Sequence, residues 1–151
     1  MRAVVQRVSS ASVRSRPDPA AEFDTVGRIG SGMCVLVGVT HTDTPDEATK
    51  LADKLSGLRI FDDADGVMNL GPSAVDAEFL VVSQFTLYGD TSRGRRPSWI
   101  EAARPEHAEP LVERVVDELR AGGATVATGR FRTEMLVDLV NDGPVTLVID
   151  V

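Results

Sequence analysis

Cysteine and histidine are scarce in this 151-residue chain, and their scarcity excludes several kinds of site. The single cysteine, Cys34, lies in an apolar run, which predicts a buried free thiol in a cytoplasmic protein rather than a disulfide. The two histidines, His41 and His107, belong to no Cys-His or His-x-x-x-His pattern of the kind that indicates zinc. The sequence therefore predicts neither a metal ion nor a cofactor.

Long apolar runs are also missing from the chain. No stretch approaches the roughly 20 residues that a membrane-spanning helix needs. The first eight residues alternate between apolar and polar, which is typical of a β-strand and not of a signal peptide. The net charge of −7 argues against bulk electrostatic capture of nucleic acid or of an anionic membrane.

Basic residues nevertheless cluster in one loop that is rich in glycine and proline. The cluster consists of Arg93, Arg95, Arg96 and Arg104, with Glu101 as the only acidic residue among them. Taken alone, these residues favour a solvated loop. The functional alternative is a local patch that binds phosphate.

The hydrophobic pattern predicts one α+β domain over residues 1–151. We expect mixed or antiparallel β-sheets that form a barrel-like core, with two helices packed on one side. Strands are predicted over residues 2–8, 10–15, 24–29, 32–39, 78–88, 124–128, 130–140 and 145–151. Residues 61–72 are predicted to be a turn-rich connection.

Two helices have clear signals in the sequence. Thr44 and Glu47 have the spacing of a capping box, and Pro45 stands at the first helical position. The second helix is predicted over about 107–121, beginning near Glu106 or His107, because Pro110 is expected only in a first turn.

Two short segments have compositions that suggest a site. The residues from Ser83 to Tyr88 add polar groups to the end of an apolar strand, which fits either a fraying strand or a pocket at a sheet margin. The residues from Asn141 to Thr146 contain a Gly-Pro dipeptide that an ordinary turn between two strands would explain. Neither segment contains a histidine, and no nucleophile elbow is present.

Together these segments resemble the D-aminoacyl-tRNA deacylases. The motifs that carry the resemblance are Val81-Val82-Ser83-Gln84-Phe85-Thr86-Leu87-Tyr88, Arg93-Gly94-Arg95-Arg96-Pro97-Ser98 and Asn141-Asp142-Gly143-Pro144-Val145-Thr146. The resemblance extends to the first eight residues and to Met68-Asn69-Leu70, so it covers nearly the whole chain. The first hairpin is a few residues longer than usual, and Gly89 stands where the family often has alanine.

The resemblance implies an enzyme that hydrolyses the ester between a D-amino acid and tRNA, and that also acts on glycyl-tRNA mischarged on tRNA-Ala. It implies a homodimer in which a Gly143-Pro144 turn with a cis peptide bond enters the partner's pocket and rejects L-amino acids. Catalysis then rests on backbone donors and on the 2′-hydroxyl of the terminal adenosine, while Thr86 as a nucleophile is an open alternative.

The site residues that the resemblance implies fall into four groups, with no metal among them. They are Ser83, Gln84, Phe85 and Thr86 for catalysis; Gly143 and Pro144 for chiral selection, supported by Arg7; Phe131, Met135 and Asn141 for the substrate and adenosine pocket; and Arg93, Arg95 and Arg96 for tRNA phosphates. The alternative in another functional class is a non-catalytic RNA-binding or accessory module of the same fold.

Overall fold

The longest strands of the molecule form the middle and one edge of a mixed β-sheet. The computed structural model describes residues 1–151 and gives β1 as Arg2–Arg16, β2 as Asp24–Ile29 and β3 as Gly32–Gly38. The remaining strands are β4 Phe61–Asp62, β5 Met68–Leu70, β6 Glu78–Ser83, β7 Val126–Thr128 and β8 Glu134–Asp150. The helices are α1, Pro45–Ser56, and α2, Pro105–Ala121, and short 3-10 segments span Pro72–Ala74 and Phe85–Tyr88.

Strand β1 organises the sheet because it pairs along both of its edges. It runs antiparallel to β3 and then to β2 on one edge, and antiparallel to β8 along almost its full length on the other. Strand β6 continues the sheet parallel to β3, and β7 follows parallel to β6. The sheet curls until β2 approaches β7, so closely that a Cβ on Gly27 would lie 2.7 Å from the carbonyl oxygen of Thr128. This near closure confirms the predicted barrel-like core.

Two apolar clusters form the core of the molecule. The larger one lies between the sheet and the two helices, and it includes fully buried residues such as Met33, Leu51, Phe79 and Leu119. The smaller one fills the inside of the curled sheet around Val13, Cys34 and Leu80. Both helices pack on one side, as predicted. Neither α1 nor α2 has the length and hydrophobicity of a transmembrane helix.

Helix α1 begins as the sequence predicts. The Thr44 side chain accepts a hydrogen bond from the backbone N–H of Asp46, and the Glu47 carboxylate accepts one from the Thr44 backbone, which completes the capping box. Helix α2 begins earlier than predicted, at Pro105, which occupies the first helical position. Pro110 therefore lies inside the helix. It is tolerated there because it is exposed, and water can satisfy the carbonyl group of Glu106 that its missing N–H would have bound.

Several predicted strand boundaries were wrong. Residues 2–16 form one continuous strand, because pairing with β8 carries β1 through the gap predicted near residue 9. Strand β6 ends at Ser83 instead of residue 88, and strands predicted at 124–128 and 130–140 begin at Val126 and Glu134. Within the connection predicted over 61–72, β4 and β5 form a short hairpin. Residues 134–150 form one strand that includes the predicted turn at Gly143-Pro144.

Candidate active site

The site begins where β6 ends, at the segment from Ser83 to Tyr88. Gln84 leaves the strand with its backbone N–H donating to the carbonyl oxygen of Val37 at 2.7 Å, and the chain then turns into the 3-10 segment Phe85–Tyr88. The strand predicted through residue 88 would place Ser83, Phe85 and Leu87 on one face. That prediction is wrong, because a 3-10 helix repeats every three residues and a strand every two.

The 3-10 turn presents backbone donors at its start. Its first hydrogen bond runs from the N–H of Leu87 to the carbonyl oxygen of Gln84 at 3.3 Å. The N–H groups of Phe85 and Thr86 precede that bond, so the turn itself gives them no acceptor. The Gln84 side-chain amide donates to the Thr86 hydroxyl, which ties these two side chains to each other.

Arg2 fixes the far end of the same turn to β1. Its guanidinium donates to the carbonyl oxygen of Leu87 at 3.2 Å and lies 5.3 Å from the centre of the Tyr88 ring, in cation–π geometry. Asp150 Oδ1 accepts from Arg2 Nε at 2.7 Å and holds the guanidinium in place. Burial raises the pKa of Tyr88 to about 12, so its hydroxyl is protonated near neutral pH and is not a base.

A cavity of about 620 Å³ opens beside this turn. Such a volume is within the usual range for sites that bind small molecules. Its walls come from the ends of β3 and β6, the 3-10 turn, the loop before α2, the start of α2, the segment before β8 and the start of β8. The lining residues are Val37, Val39, Ser83, Gln84, Phe85, Trp99, Ala102, Ala103, Arg104, Pro105, Ala108, Phe131, Arg132, Thr133 and Met135.

The cavity brings together five of the residues that the sequence predicted for the site. They are Ser83, Gln84, Phe85, Phe131 and Met135. The strand predicted over 130–140 includes Phe131, but this residue lies in the turn that precedes β8. Thr86 and Asn141 do not line the cavity.

Sequence reasoning missed Trp99, which forms an aromatic wall with Phe85. The two ring centres lie 5.4 Å apart in an edge-to-face arrangement. Both rings remain accessible, with 55% of Phe85 and 42% of Trp99 exposed. The signal that could have found Trp99 is its position as the only tryptophan of the chain, directly after the arginine-rich loop.

The charged groups of the cavity are all positive. Arg104 and Arg132 line it, whereas no carboxylate, histidine or cysteine does so. The two histidines are occupied elsewhere, His41 with the carbonyl oxygen of Ile100 and His107 with that of Asp43. The cavity therefore offers hydrogen-bond donors, apolar walls and positive charge, and it contains no side chain suited to be a general base.

The second predicted segment forms a wide bulge in β8. Gln6 pairs with Thr146 and Val8 pairs with Asn141, so the four residues between them lie opposite Arg7 alone. The Gly143-Pro144 peptide bond is cis, and Gly143 has a φ of 111°, a conformation that side chains with a Cβ rarely adopt.

Asn141 binds the two ends of this bulge together. Its Nδ2 donates to the carbonyl oxygens of Arg7 at 2.8 Å and Val145 at 3.0 Å. Its Oδ1 accepts from Gln6 Nε2 at 3.0 Å and from the Thr146 hydroxyl at 3.1 Å. The side chain that was predicted for the adenosine pocket is thus engaged within its own chain.

Arg7 supports the bulge from beneath. It is only 7% exposed, and its Nη1 donates to the carbonyl oxygen of Ile60 at 2.7 Å and to Asp62 Oδ1 at 3.3 Å. Asp142 Oδ2 lies 3.1 Å from Arg7 Nε, although the N–H is not aligned with it and has no hydrogen-bond partner. This contact is an ion pair rather than a hydrogen bond.

The bulge and the cavity do not meet within one chain. Neither Gly143 nor Pro144 lines the cavity. Gly143 is eight positions along β8 from Met135 at the cavity wall, which is about 26 Å of extended strand. The bulge therefore forms no part of the wall of its own chain's cavity.

The arginines of the loop before α2 lie on a surface outside the cavity. Arg93, Arg95 and Arg96 are exposed and take part in no ion pair, so their positive charge is not neutralised within the chain. The loop is closed by paired backbone hydrogen bonds between Asp90 and Ser98, each of 2.8 Å. Hydrogen bonding by the Ser92 backbone N–H lowers the pKa of Asp90 and keeps its carboxylate ionised.

Comparison with known proteins gives a consistent match over the whole chain. The family model described as D-Tyr-tRNA(Tyr) deacylase matches residues 4–150. A protein of Thermotoga petrophila named D-aminoacyl-tRNA deacylase is 55% identical over 150 residues, which are 99% of this chain and 97% of that protein. A protein of the same name from Streptomyces coelicolor is 55% identical over 152 residues, which are 100% of this chain and 100% of that protein.

Solved structures share the fold. One titled c-Myc DNA Unwinding Element Binding Protein has a TM-score of 0.89 and 34% identity, over 100% of this chain and 99% of that one. Another, titled as a probable eukaryotic D-amino acid tRNA deacylase, has a TM-score of 0.78 over 99% of this chain and 98% of that one. At 16% identity, the second likeness concerns the fold alone.

Proposed function

The chain belongs to the D-Tyr-tRNA(Tyr) deacylase family, and on that premise we propose that it hydrolyses the ester bond between a D-amino acid and the 3′-terminal adenosine of tRNA. The observation that carries this proposal is the cavity without a side-chain base, next to a 3-10 turn that begins with two backbone donors. The reaction takes place in the cytoplasm, where aminoacyl-tRNA is used.

In the reaction, a water molecule attacks the ester carbonyl carbon and the bond to the ribose oxygen breaks. The backbone N–H groups of Phe85 and Thr86 stabilise the negative charge that develops on the carbonyl oxygen. The neighbouring 2′-hydroxyl of the adenosine helps to activate the water, because the cavity supplies no base of its own. The freed ribose oxygen takes the proton that the water loses.

The lining of the cavity suits the terminal adenosine. Phe131 and Met135 contact the nucleoside, and the accessible rings of Phe85 and Trp99 provide apolar surface for a flat base. Ser83 and Gln84 border the place where the ester lies.

Chirality is selected by a second copy of the chain. In a homodimer, the bulge of one subunit enters the cavity of the other, and the carbonyl oxygens of Gly143 and Pro144 hold the α-amino group of the substrate. An L-amino acid would then direct its Cβ against these oxygens, whereas a D-amino acid directs it away and glycine has none. Rejection of this kind also leaves glycyl-tRNA mischarged on tRNA-Ala as a substrate.

Two features support the dimer. The bulge is too far from its own cavity to act there, and Asn141 and Arg7 hold it in a defined shape. Strand β8 is also an edge strand with exposed apolar side chains, Val140 at 58% and Val148 at 67%. An exposed edge of this kind is a common place for a second copy to bind.

The decisive experiment measures the release of amino acid from matched D- and L-tyrosyl-tRNA, with glycyl-tRNA as a third substrate. We expect rapid hydrolysis of the D and glycyl esters and none of the L ester. A substrate that ends in 2′-deoxyadenosine should be hydrolysed poorly, and normal turnover of it would refute the role of the 2′-hydroxyl.

The same experiment tests the non-catalytic alternative, to which the solved structure titled as a DNA-element binding protein gives some support. Binding of tRNA without hydrolysis of any ester would favour a binding module over an enzyme.

A further inference from the structure

Two arginines are the charged residues that line the cavity. Arg104 comes directly before α2, and Arg132 lies in the turn between Phe131 and β8. They approach the same cavity from different parts of the chain. Both are exposed, and neither side chain forms an ion pair or a hydrogen bond within the protein.

The local structure explains why both side chains lack a partner within the protein. Arg104 is the N-cap residue of α2, but only its backbone takes part, since no side-chain capping hydrogen bond is present. Arg132 has a φ of 58°, which is uncommon for a residue with a Cβ and persists only where the surrounding structure imposes it. The acidic neighbour that could have neutralised Arg132 is Glu134, and it is paired with Arg16 at 2.7 Å.

We propose that Arg104 and Arg132 bind the phosphate group that links the terminal adenosine to the rest of the tRNA. This assignment rests on the proposed function, which places the nucleoside in the cavity. When the adenosine occupies the cavity, its 5′-phosphate lies toward solvent, and these two residues both line the cavity and are exposed to solvent. Guanidinium groups match phosphate oxygens with paired hydrogen bonds, and two of them from separate segments hold a phosphate from two sides.

The chemistry of the substrate identifies the anion. In an aminoacyl ester the carboxyl group of the amino acid carries no charge, and its α-amino group is positive. The phosphate is therefore the only negative group of the acceptor end that reaches this cavity. Two unpaired positive side chains without a carboxylate beside them fit that group.

The test compares adenosine 5′-phosphate with adenosine by isothermal titration calorimetry. We expect the unchanged protein to bind the phosphate form at least about tenfold more tightly, as one charge-assisted contact allows. In the double variant Arg104→Gln, Arg132→Gln, this preference should fall to near unity while adenosine binds as before. Arg28→Gln is the control, because Arg28 is an exposed, unpaired arginine on β2 outside the cavity.

Equal binding of the two ligands by the unchanged protein would overturn the proposal, as would a preference that survives in the double variant. Failure of both ligands to bind would count against the proposal and against adenosine in the cavity. A phosphate preference that depends on the two arginines, together with no hydrolysis of D-aminoacyl-tRNA, would keep this site and refute the proposed function.

Kinetics give a second measurement. In the double variant we expect KM for D-aminoacyl-tRNA to rise at least about tenfold with kcat little changed, because a phosphate contact binds substrate and transition state alike. The lysine variants Arg104→Lys and Arg132→Lys should recover part of the loss. A fall in kcat without a change in KM, in a variant whose thermal unfolding is unchanged, would contradict a binding role.

Discussion

The neighbours of the Thr86 hydroxyl argue against its role as a nucleophile. Its oxygen accepts a hydrogen bond from the Gln84 amide, which is a donor and not a base. No histidine or carboxylate lines the adjoining cavity, so nothing there would take the proton of the hydroxyl. The backbone N–H of the same residue is the group that the proposed reaction uses.

Replacing Thr86 with alanine should therefore leave substantial hydrolysis of D-aminoacyl-tRNA, within about tenfold of the original rate. Thr86→Ser is the matched variant because it keeps the hydroxyl. Single-turnover rates at saturating enzyme would separate chemistry from binding. If Thr86→Ala is inactive and Thr86→Ser is active, with tRNA binding unchanged in both, then the hydroxyl is the nucleophile after all.

Single residues also mark the limit of what the sequence could predict about the site. The motif residues that line the cavity were predicted because the resemblance names them. Trp99, Arg104 and Arg132 as lining residues were missed, because loops far apart in sequence bring them there and no local pattern records such contacts. Two of the four hydrogen bonds of Asn141, those with Gln6 and Arg7, likewise depend on β1, more than 130 positions away.

Among the elements, those defined by local chemistry were predicted best. The capping box of α1 needs only residues 44–47, so the sequence contains all of its information. The end of β6 was misplaced, because the alternation of apolar and polar residues does not distinguish a strand from the 3-10 turn that follows it. The bulge in β8 was predicted as a turn between strands, since the pairing with β1 that continues on either side of it is long-range.

Removing the Thr44 side chain, which caps α1, should lower the free energy of unfolding because its capping hydrogen bonds are lost. Thr44→Ala is expected to lower the free energy of unfolding by about 1 kcal/mol, measured by urea denaturation at neutral pH. Thr42→Ala is the control, since Thr42 is exposed and precedes the cap. Equal stability of the two variants would mean that the capping box contributes nothing.

The same cap predicts a dependence on pH. Hydrogen bonds from Thr44 and Lys50 lower the pKa of Glu47 to about 2, below its ordinary value of 4.5. Its contribution to stability is therefore present above about pH 4.5 and is lost as the pH falls toward 2. Thr44→Ala should lose that part of the acid dependence.

The arginine loop leads to a prediction about binding. Changing both Arg95 and Arg96 to glutamate should weaken binding of tRNA. The slope of log K against log salt should also become shallower, by about 0.7 to 0.9 for each phosphate that the loop no longer neutralises. Arg28→Glu, on β2, controls for the change in net charge. Filter binding at several salt concentrations measures the slope, and an unchanged slope would mean that the loop is only solvated.

At the scale of the whole molecule, the two predicted motifs lie apart, because the bulge with Gly143 and Pro144 does not line the cavity beside the 3-10 turn. The composition and the strand pattern were enough to predict an α+β fold with a barrel-like core. They could not show which edge of the sheet stays open, because that depends on β8 lying outermost beside β1. The exposed valines of that strand agree with a surface that a second copy covers.

A charged side chain on the open edge of β8 should dissociate the proposed dimer. Val140→Lys is expected to yield monomers in multi-angle light scattering at micromolar concentration, and to lose hydrolysis of D-aminoacyl-tRNA because the bulge no longer reaches a cavity. Val67→Lys is the control, a valine of similar exposure in the hairpin between β4 and β5. A monomeric variant with full activity would refute the composite site.

The reactivity of the single thiol of the chain reports how often the β-sheet opens. Cys34 lies in the middle of β3, only 1% exposed, and burial raises its pKa to about 11. A thiol reagent therefore reacts with Cys34 at neutral pH only when the sheet opens, and the labelling rate reports the rate or extent of that opening without any engineered probe.

The same thiol predicts an effect of alkaline pH. Because the pKa of Cys34 is higher in the folded protein than in the unfolded chain, the open form is favoured as the pH rises from about 9 toward 11. Labelling should accelerate in that range by more than thiolate formation in a short peptide would produce, and a rate that merely follows the peptide would indicate that Cys34 is reached without opening of the sheet.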